Sequence, residues 1–87
     1  MTGTMTPRKL AGLVLEQLGD LVGNPAEGVT GLRRDGEEWV MDVEVLEMRR
    51  TPETTDVLAT YEVRVDRSGA ISSYRRCRRY LRAEVTT

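Results

Sequence analysis

The chain contains no histidine, no phenylalanine and a single cysteine, Cys77, among its 87 residues. Without histidine, the commonest general acid–base side chain is unavailable for catalysis. One cysteine cannot form an internal disulfide, and the sequence has no Cys/His cluster of the kind that holds zinc. It also has no glycine-rich phosphate loop and no nucleophile elbow. The sequence therefore predicts a protein that is not an enzyme and needs no cofactor or metal.

Long apolar runs are missing as well. A membrane-spanning helix takes about 20 consecutive apolar residues, whereas the first apolar stretch is interrupted by Gly12, Glu16 and Gln17. The stretch is also not followed by a small-residue cleavage site after a basic segment, and both observations argue against a signal peptide. We therefore expect a cytoplasmic protein that makes no membrane contact.

Charged residues are numerous and nearly balanced, with 13 basic and 14 acidic side chains. The apolar residues nevertheless form periodic runs, which indicates a folded chain, and a chain of this length forms one domain. We place a single domain at residues 6–82, between a disordered tail at residues 1–5 and a second tail at residues 83–87.

Residues 6–22 have the pattern of an amphipathic helix. Thr6 is a candidate N-cap, Pro7 suits the first helical position, and Gly23-Asn24-Pro25 ends the pattern. Apolar residues recur at intervals of three and four and are expected on one helical face. They are Leu10, Leu13, Val14, Leu18, Leu21 and Val22.

Strands are expected after the helix. A short one is predicted at Val29–Arg34, before a hairpin turn at Asp35-Gly36. From Trp39 to Val45 apolar and polar residues alternate, and the apolar positions then change parity at Leu46 and Met48, which predicts a bulge. Trp39 is expected in the core, against the helix.

A loop at residues 50–56 leads to the clearest alternation, at Val57–Val65. Residues 70–82 are ambiguous, since Ile71, Tyr74, Cys77 and Leu81 recur at helical spacing. We favour a strand because the short hairpin at residues 66–69 leads directly into this segment. As a regular strand it would place Ile71, Cys77 and Leu81 on one face and the tyrosines on the other.

The order of these elements is one helix followed by four strands with short connections. Such an order predicts an α+β fold with two layers, in which the N-terminal helix packs on one face of a four-stranded antiparallel meander.

Five of the nine residues from Tyr74 to Arg82 are arginine, which permits three interpretations. The arginines could contact nucleic-acid phosphates while the tyrosines stack on bases, although an isoelectric point near 5.4 argues against a dedicated nucleic-acid binder. They could pair across the sheet with acids such as Glu62. They could also form a protein interface, because Arg and Tyr are enriched at binding hot spots.

Cys77 has two interpretations. Neighbouring arginines could lower its pKa and make the thiol reactive. We favour the alternative, a small apolar residue packed beneath the helix, because free cysteine is among the most buried residue types.

The segment from Arg49 to Val63 reads RRTPETTDVLATYEV. Together with GVTGLRRDGEEWVMDVEVLEMRR upstream and YRRCRRYLR downstream, it closely resembles the gas vesicle protein O (GvpO) family. The similarity extends from about Gly28 to Arg82, and the N-terminal helix resembles the family only in general character. Cys77 departs from the aliphatic residue expected at its position, which again favours a buried, non-catalytic role.

The resemblance implies a small accessory protein needed for assembling gas vesicles, or for regulating that assembly, and not a shell subunit. It implies no enzyme activity, with other gas vesicle proteins as partners. The alternative is a nucleic-acid-binding regulator of gas vesicle expression that uses the basic strip Arg75–Arg82. A homodimer formed through an exposed edge strand is a further expectation.

We expect the protein interface in the arginine strip and in the loop Arg49–Asp56, with Glu44 and Glu62 orienting the arginines. The candidate residues are Tyr74, Arg75, Arg76, Arg78, Arg79, Tyr80, Arg82, Arg49, Arg50 and Glu62.

Overall fold

The computed structural model describes residues 6–85 and shows one helix followed by four strands. The elements are α1 (Pro7–Val22), β1 (Ala26–Asp35), β2 (Glu38–Met48), β3 (Val57–Val65) and β4 (Ile71–Leu81), with short 3-10 helices at Glu53–Thr55 and Arg82–Val85. The strands form one antiparallel sheet in the order β1-β2-β3-β4. The predicted two-layer α+β fold with a meander sheet is confirmed.

The helix begins and ends where the sequence predicts. The Thr6 hydroxyl accepts a hydrogen bond from the Lys9 backbone N–H at 3.2 Å, and Gly23 closes the helix with φ of 72°. Leu10, Val14 and Leu18 are buried. The prediction was wrong for Leu13 and Leu21, which are exposed. Leu13 lies on the flank of the helix, whereas Leu21 lies in its last turn, next to the end of α1 at Val22.

One face of the sheet, which we call the helix-side face, forms the main core with α1. Val43, Val45 and Val63 on this face are fully buried, and Trp39 is partly buried against the same cluster. Burial of this apolar surface is the main source of stability in such a fold.

The opposite face, which we call the open face, carries the alternate residues of each strand and is mostly polar. Val40 is nevertheless buried on it, because Arg33 and Arg64 pair beside it from the neighbouring strands and their aliphatic stems can cover apolar surface. Leu46 and Leu58 are buried together at the far end of this face. On the open face, buried apolar residues are therefore shielded from solvent largely by the stems of charged side chains.

Strand boundaries differ from the prediction mainly in β1, which is longer than Val29–Arg34. The bulge expected near Leu46 and Met48 is present, and Glu47 is its extra residue. Residues 71–81 form a strand, so the ambiguity between helix and strand is resolved in favour of β4.

Two bulges in β4 change which residues share a face. The register against β3 shifts at Ser72 and again at Cys77. As a result Tyr74 pairs with Val63 on the helix-side face, and Cys77 is the extra residue of a bulge. Cys77 is exposed, so the prediction that it packs beneath the helix was wrong.

The expected tail at residues 1–5 lies outside the described residues, whereas residues 83–85 belong to the second 3-10 helix. Within residues 6–85, no helix has the length and apolar character needed to cross a membrane.

Candidate functional site

The arginines of β4 are divided between the two faces of the sheet. Arg75 and Arg78 pair with Glu62 and Thr60 of β3 and therefore lie on the open face. Arg76 and Arg79 pair with Tyr61 and Ala59 on the helix-side face. The strip that is continuous in sequence is thus two separate pairs in space.

On the open face, Glu62 binds two arginines. Arg33 of β1 donates to Glu62 at 2.8 Å and Arg75 donates to its other oxygen at 3.3 Å. Arg33 also lies 3.6 Å from Asp42, and Gly31 leaves room for that carboxylate, since a Cβ there would meet Asp42 Oδ2 at 2.8 Å. Arg75 is therefore engaged within the molecule, as the cross-strand interpretation expected.

Arg64 extends the open-face network toward the hairpin turns. It donates to Asp35 at 2.9 Å and to Glu38 at 3.4 Å, and Glu38 also accepts from Ser72 at 2.8 Å. The carboxylates and arginines of this face largely neutralise one another. Exposed pairs of this kind each stabilise by about 0–1 kcal/mol.

Within residues 6–85 Glu44 pairs with no arginine, contrary to the expectation that it orients them, and instead accepts a hydrogen bond from the Tyr80 hydroxyl at 2.6 Å. Burial raises the pKa of Tyr80 above its ordinary value of 10.0, and the hydrogen bond to Glu44 raises it further. The Arg78 guanidinium lies 4.6 Å from the centre of the Tyr80 ring, a cation–π contact. Arg78 thus differs from Arg75 in stacking on an aromatic ring.

On the helix-side face, Glu47 is the only carboxylate in contact with Arg76 and Arg79 within the described part of the chain. Arg76 lies 3.2 Å from both oxygens and Arg79 lies 2.9 Å from one of them. Glu47 also accepts from the Tyr61 hydroxyl at 3.3 Å. Burial raises the pKa of Tyr61, and the nearby Glu47 carboxylate adds to this effect.

This cluster is buried on its acidic side and exposed on its basic side. The Glu47 side chain is 9% exposed, against 47% for Arg76 and 51% for Arg79. Two guanidinium groups against one carboxylate leave a net positive charge facing solvent.

Exposed apolar side chains lie around these arginines. The Tyr74 ring lies 6.3 Å from that of Tyr61, and Met48, Val57 and Leu81 form one cross-strand row. We call the exposed part of this region the helix-side patch; it consists of Met48, Tyr74, Arg76, Arg79 and Leu81.

The loop at residues 49–56 is fixed to the end of β4 by Asp56, which is buried. Asp56 accepts from the Arg50 backbone N–H at 2.6 Å and from Arg82 Nε at 3.2 Å, and Arg82 also binds Glu27 of β1 at 3.0 Å. The Arg50 backbone hydrogen bond is the main cause that lowers the pKa of Asp56, burial opposes it, and Arg82 lowers it further. Both carboxylates raise the pKa of Arg82.

The candidate residues therefore fall into three places. Arg75 and Glu62 belong to the open-face network, and Tyr74, Arg76 and Arg79 belong to the helix-side patch. The others lie at the end of the sheet that Asp56 holds together, which we call the loop-end surface: Arg49, Arg50, Arg78, Tyr80 and Arg82.

Sequence reasoning did not assign the carboxylates that hold most of these arginines. Besides Glu62, the carboxylates that form ion pairs with these arginines are Glu47, Asp56 and Glu27. The change of parity near Leu46 was a signal that Glu47 does not follow the regular alternation of the strand, because a bulge reorients its extra residue.

Comparison with known proteins relates this chain to gas vesicle proteins. The family model described as "Gas vesicle synthesis protein GvpO" matches residues 3–86. Gas vesicle protein O of Streptomyces sp. (strain CB03234) is 48% identical over 66 residues, which cover 76% of this chain and 52% of that protein. Gas vesicle protein O1 of Halobacterium salinarum is 32% identical over 66 residues, which cover 76% of this chain and 56% of that protein.

A third relative, gas vesicle protein O of Haloferax mediterranei, is 31% identical over 51 residues, 59% of this chain and 36% of that protein. The chain thus spans about half the length of the first two curated relatives it matches. No solved structure matches it. Because the family model matches residues 3–86, nearly the whole of this chain, the chain belongs to the gas vesicle protein O family.

Proposed function

We propose that the chain is an accessory protein in the assembly of gas vesicles, or in the regulation of that assembly, and that it acts as a non-catalytic protein-binding module. It would act in the cytoplasm, on gas vesicles or their assembly intermediates, and its partners would be other gas vesicle proteins. Membership of the gas vesicle protein O family supports this proposal.

The observation that carries the proposal is the loop-end surface. Asp56 holds the loop against β4 through hydrogen bonds from Arg50 and Arg82, so loop and strand form one surface. A loop fixed on a rigid sheet is a common location for binding residues. Arg78 stacked on Tyr80 adds the residue types that dominate binding hot spots.

A nucleic-acid role has less support from the same geometry. Arg75, Arg76, Arg79 and Arg82 each contact a carboxylate of this chain. Phosphate binding would have to displace these contacts, whereas dedicated nucleic-acid surfaces present clustered basic charge.

The test is co-purification of other gas vesicle proteins with the tagged chain from gas-vesicle-forming cells, with nuclease treatment of half the sample. We expect gas vesicle proteins to remain bound after nuclease treatment. The variant Arg49→Gln/Arg78→Gln should retain at least tenfold less of them, since losing hot-spot arginines typically costs more than 1 kcal/mol each.

The matched control is Arg8→Gln/Arg67→Gln, which removes the same charge from exposed positions away from the loop-end surface. It should bind like the unchanged protein. Loss of all bound gas vesicle proteins on nuclease treatment would contradict the proposal, as would equal binding by the two variants. Unchanged vesicle yield in cells lacking this protein would contradict the assembly role.

A further inference from the structure

Exposed apolar surface is concentrated on one side of the molecule. All six exposed large hydrophobic side chains within residues 6–83 lie on the helix or on the helix-side face, and none lies on the open face. They are Leu13, Leu21, Leu32, Met48, Tyr74 and Leu81. Three of them, Met48, Tyr74 and Leu81, belong to the helix-side patch, and grouped exposed apolar residues mark an interaction surface, whereas scattered ones need no explanation.

One line of α1 faces the same side as the helix-side patch. Leu13, Gln17 and Leu21 follow each other along the helix, since side chains four residues apart lie on one face. Gln17 donates to the Gly69 carbonyl at 2.9 Å and accepts from the Ile71 backbone N–H at 3.4 Å. The line is therefore oriented toward β4.

The charges beside this line are opposite in sign to those on the patch. Glu16 and Asp20 lie three residues after Leu13 and Gln17, so they are neighbours of the line on the helix surface. Both are exposed, and within the described chain neither forms an ion pair. We call Leu13, Glu16, Asp20 and Leu21 the acidic flank.

We infer that the helix-side patch binds the acidic flank of a second copy of this chain. Arg76 and Arg79 of one copy face Glu16 and Asp20 of the other, while the leucines of the flank pack on Tyr74 and its apolar neighbours. Flank and patch lie on the same side of each molecule, so a two-fold axis makes the contact twice. This dimer goes beyond the proposed function, because the loop-end surface takes no part in it.

The alternative dimer, through the edge of β4, is disfavoured by the bulges of that strand. Unbroken pairing extends over only four residues on either side of Cys77, at Ser73–Arg76 and at Arg78–Leu81. Bulges and charged side chains protect sheet edges from pairing with another chain. For β4, a dimer formed by faces is therefore favoured over edge pairing.

Sedimentation velocity of the purified full chain over a concentration series tests the dimer by charge reversal. The flank variant is Glu16→Arg/Asp20→Arg, at solvent-exposed helical positions. The patch variant is Arg76→Glu/Arg79→Glu, made together with Glu47→Gln to avoid three adjacent carboxylates. Each variant alone should raise the dimer dissociation constant at least tenfold. An equimolar mixture of the two variants should form a mixed dimer with one copy of each, because both flank–patch contacts in that dimer again join opposite charges.

The matched control is Arg75→Glu/Arg78→Glu, the same two arginine reversals made on the open face of the same strand. It should leave the dissociation constant within about twofold, as expected for residues outside the interface. A wild-type chain that stays monomeric at every concentration would overturn the inference. So would failure of the mixture to dimerise, or an equal effect of the open-face control. Far-UV circular dichroism tests whether each variant is folded. If the patch variant is unfolded, the dissociation constant of the flank variant alone tests the inference.

Discussion

The two faces of the sheet use the same residue types for different purposes. On the open face, Glu62 is shared by Arg33 and Arg75, and Arg64 is held by Asp35 and Glu38. On the helix-side face, one nearly buried carboxylate, Glu47, faces two half-exposed arginines surrounded by exposed apolar side chains.

The difference shows that the position of a charge, and not its type, decides its role. Arg75 and Arg76 are adjacent in sequence, but they point to opposite faces and meet different acids. Arg75 meets a carboxylate that already has another arginine, so its loss leaves Glu62 paired. Among the described residues Arg76 and Arg79 share one acid, so these two arginines carry positive charge that Glu47 alone does not neutralise.

The largest expected effect concerns the apolar core beneath the helix. Leu18→Ala removes a fully buried side chain, and deletions of this kind cost about 2–5 kcal/mol of unfolding free energy. Leu13→Ala, on the exposed flank of the same helix, should change it by only about 0.5 kcal/mol or less. Urea unfolding followed by circular dichroism measures both. Similar losses in the two variants would show that the helix is seated differently.

An intermediate effect is expected at Glu47. Arg76→Gln/Arg79→Gln removes both arginine partners of the nearly buried Glu47 carboxylate and leaves it the Tyr61 hydroxyl. Loss of the partners of a buried polar group costs about 1–3 kcal/mol of unfolding free energy. Adding Glu47→Gln should recover part of this loss, because the buried charge is then removed as well.

The corresponding change on the open face, Arg75→Gln, should cost only about 0–1 kcal/mol, because Glu62 keeps Arg33. The same unfolding measurement distinguishes the two faces. A loss at Arg75 as large as that of the helix-side pair would mean that the open-face network is not redundant.

A pH-dependent effect is expected at the loop end. The pKa of Asp56 is lowered from its ordinary value of 3.8, so the carboxylate contributes stability above that pH and loses it as the pH falls through the folded-state pKa. Asp56→Asn should therefore be less stable than the wild type at pH 7, and the difference should shrink below about pH 3.8. Urea unfolding from pH 7 to pH 3 measures it, and a difference that grows on acidification would contradict the assignment.

The sequence was sufficient to predict the helix and the meander. Thr6 and Gly23 mark the ends of α1, and regular alternation at Val57–Val65 identifies β3 without ambiguity. These elements follow from local periodicity and capping, which single residues encode directly.

The distribution of the arginines could not be predicted in the same way. It depends on where the bulges fall, and no residue type identifies Ser72 or Cys77 as a bulge before the register with β3 is known. A bulge at Cys77 reverses the parity of every residue after it, which is why Cys77 is exposed and Tyr80 faces away from Tyr74. The role of Glu47 depends on a third bulge, in β2.

The difference between the faces is tested most directly by a photo-crosslinking amino acid placed at Tyr74 or, in a separate variant, at Ser73. The two positions are adjacent, and Tyr74 lies on the helix-side face while Ser73 lies on the open face. In gas-vesicle-forming cells we expect protein crosslinks from position 74, chiefly to a second copy, and at least tenfold fewer from position 73. Crosslinks that form from position 73 and not from position 74 would contradict it.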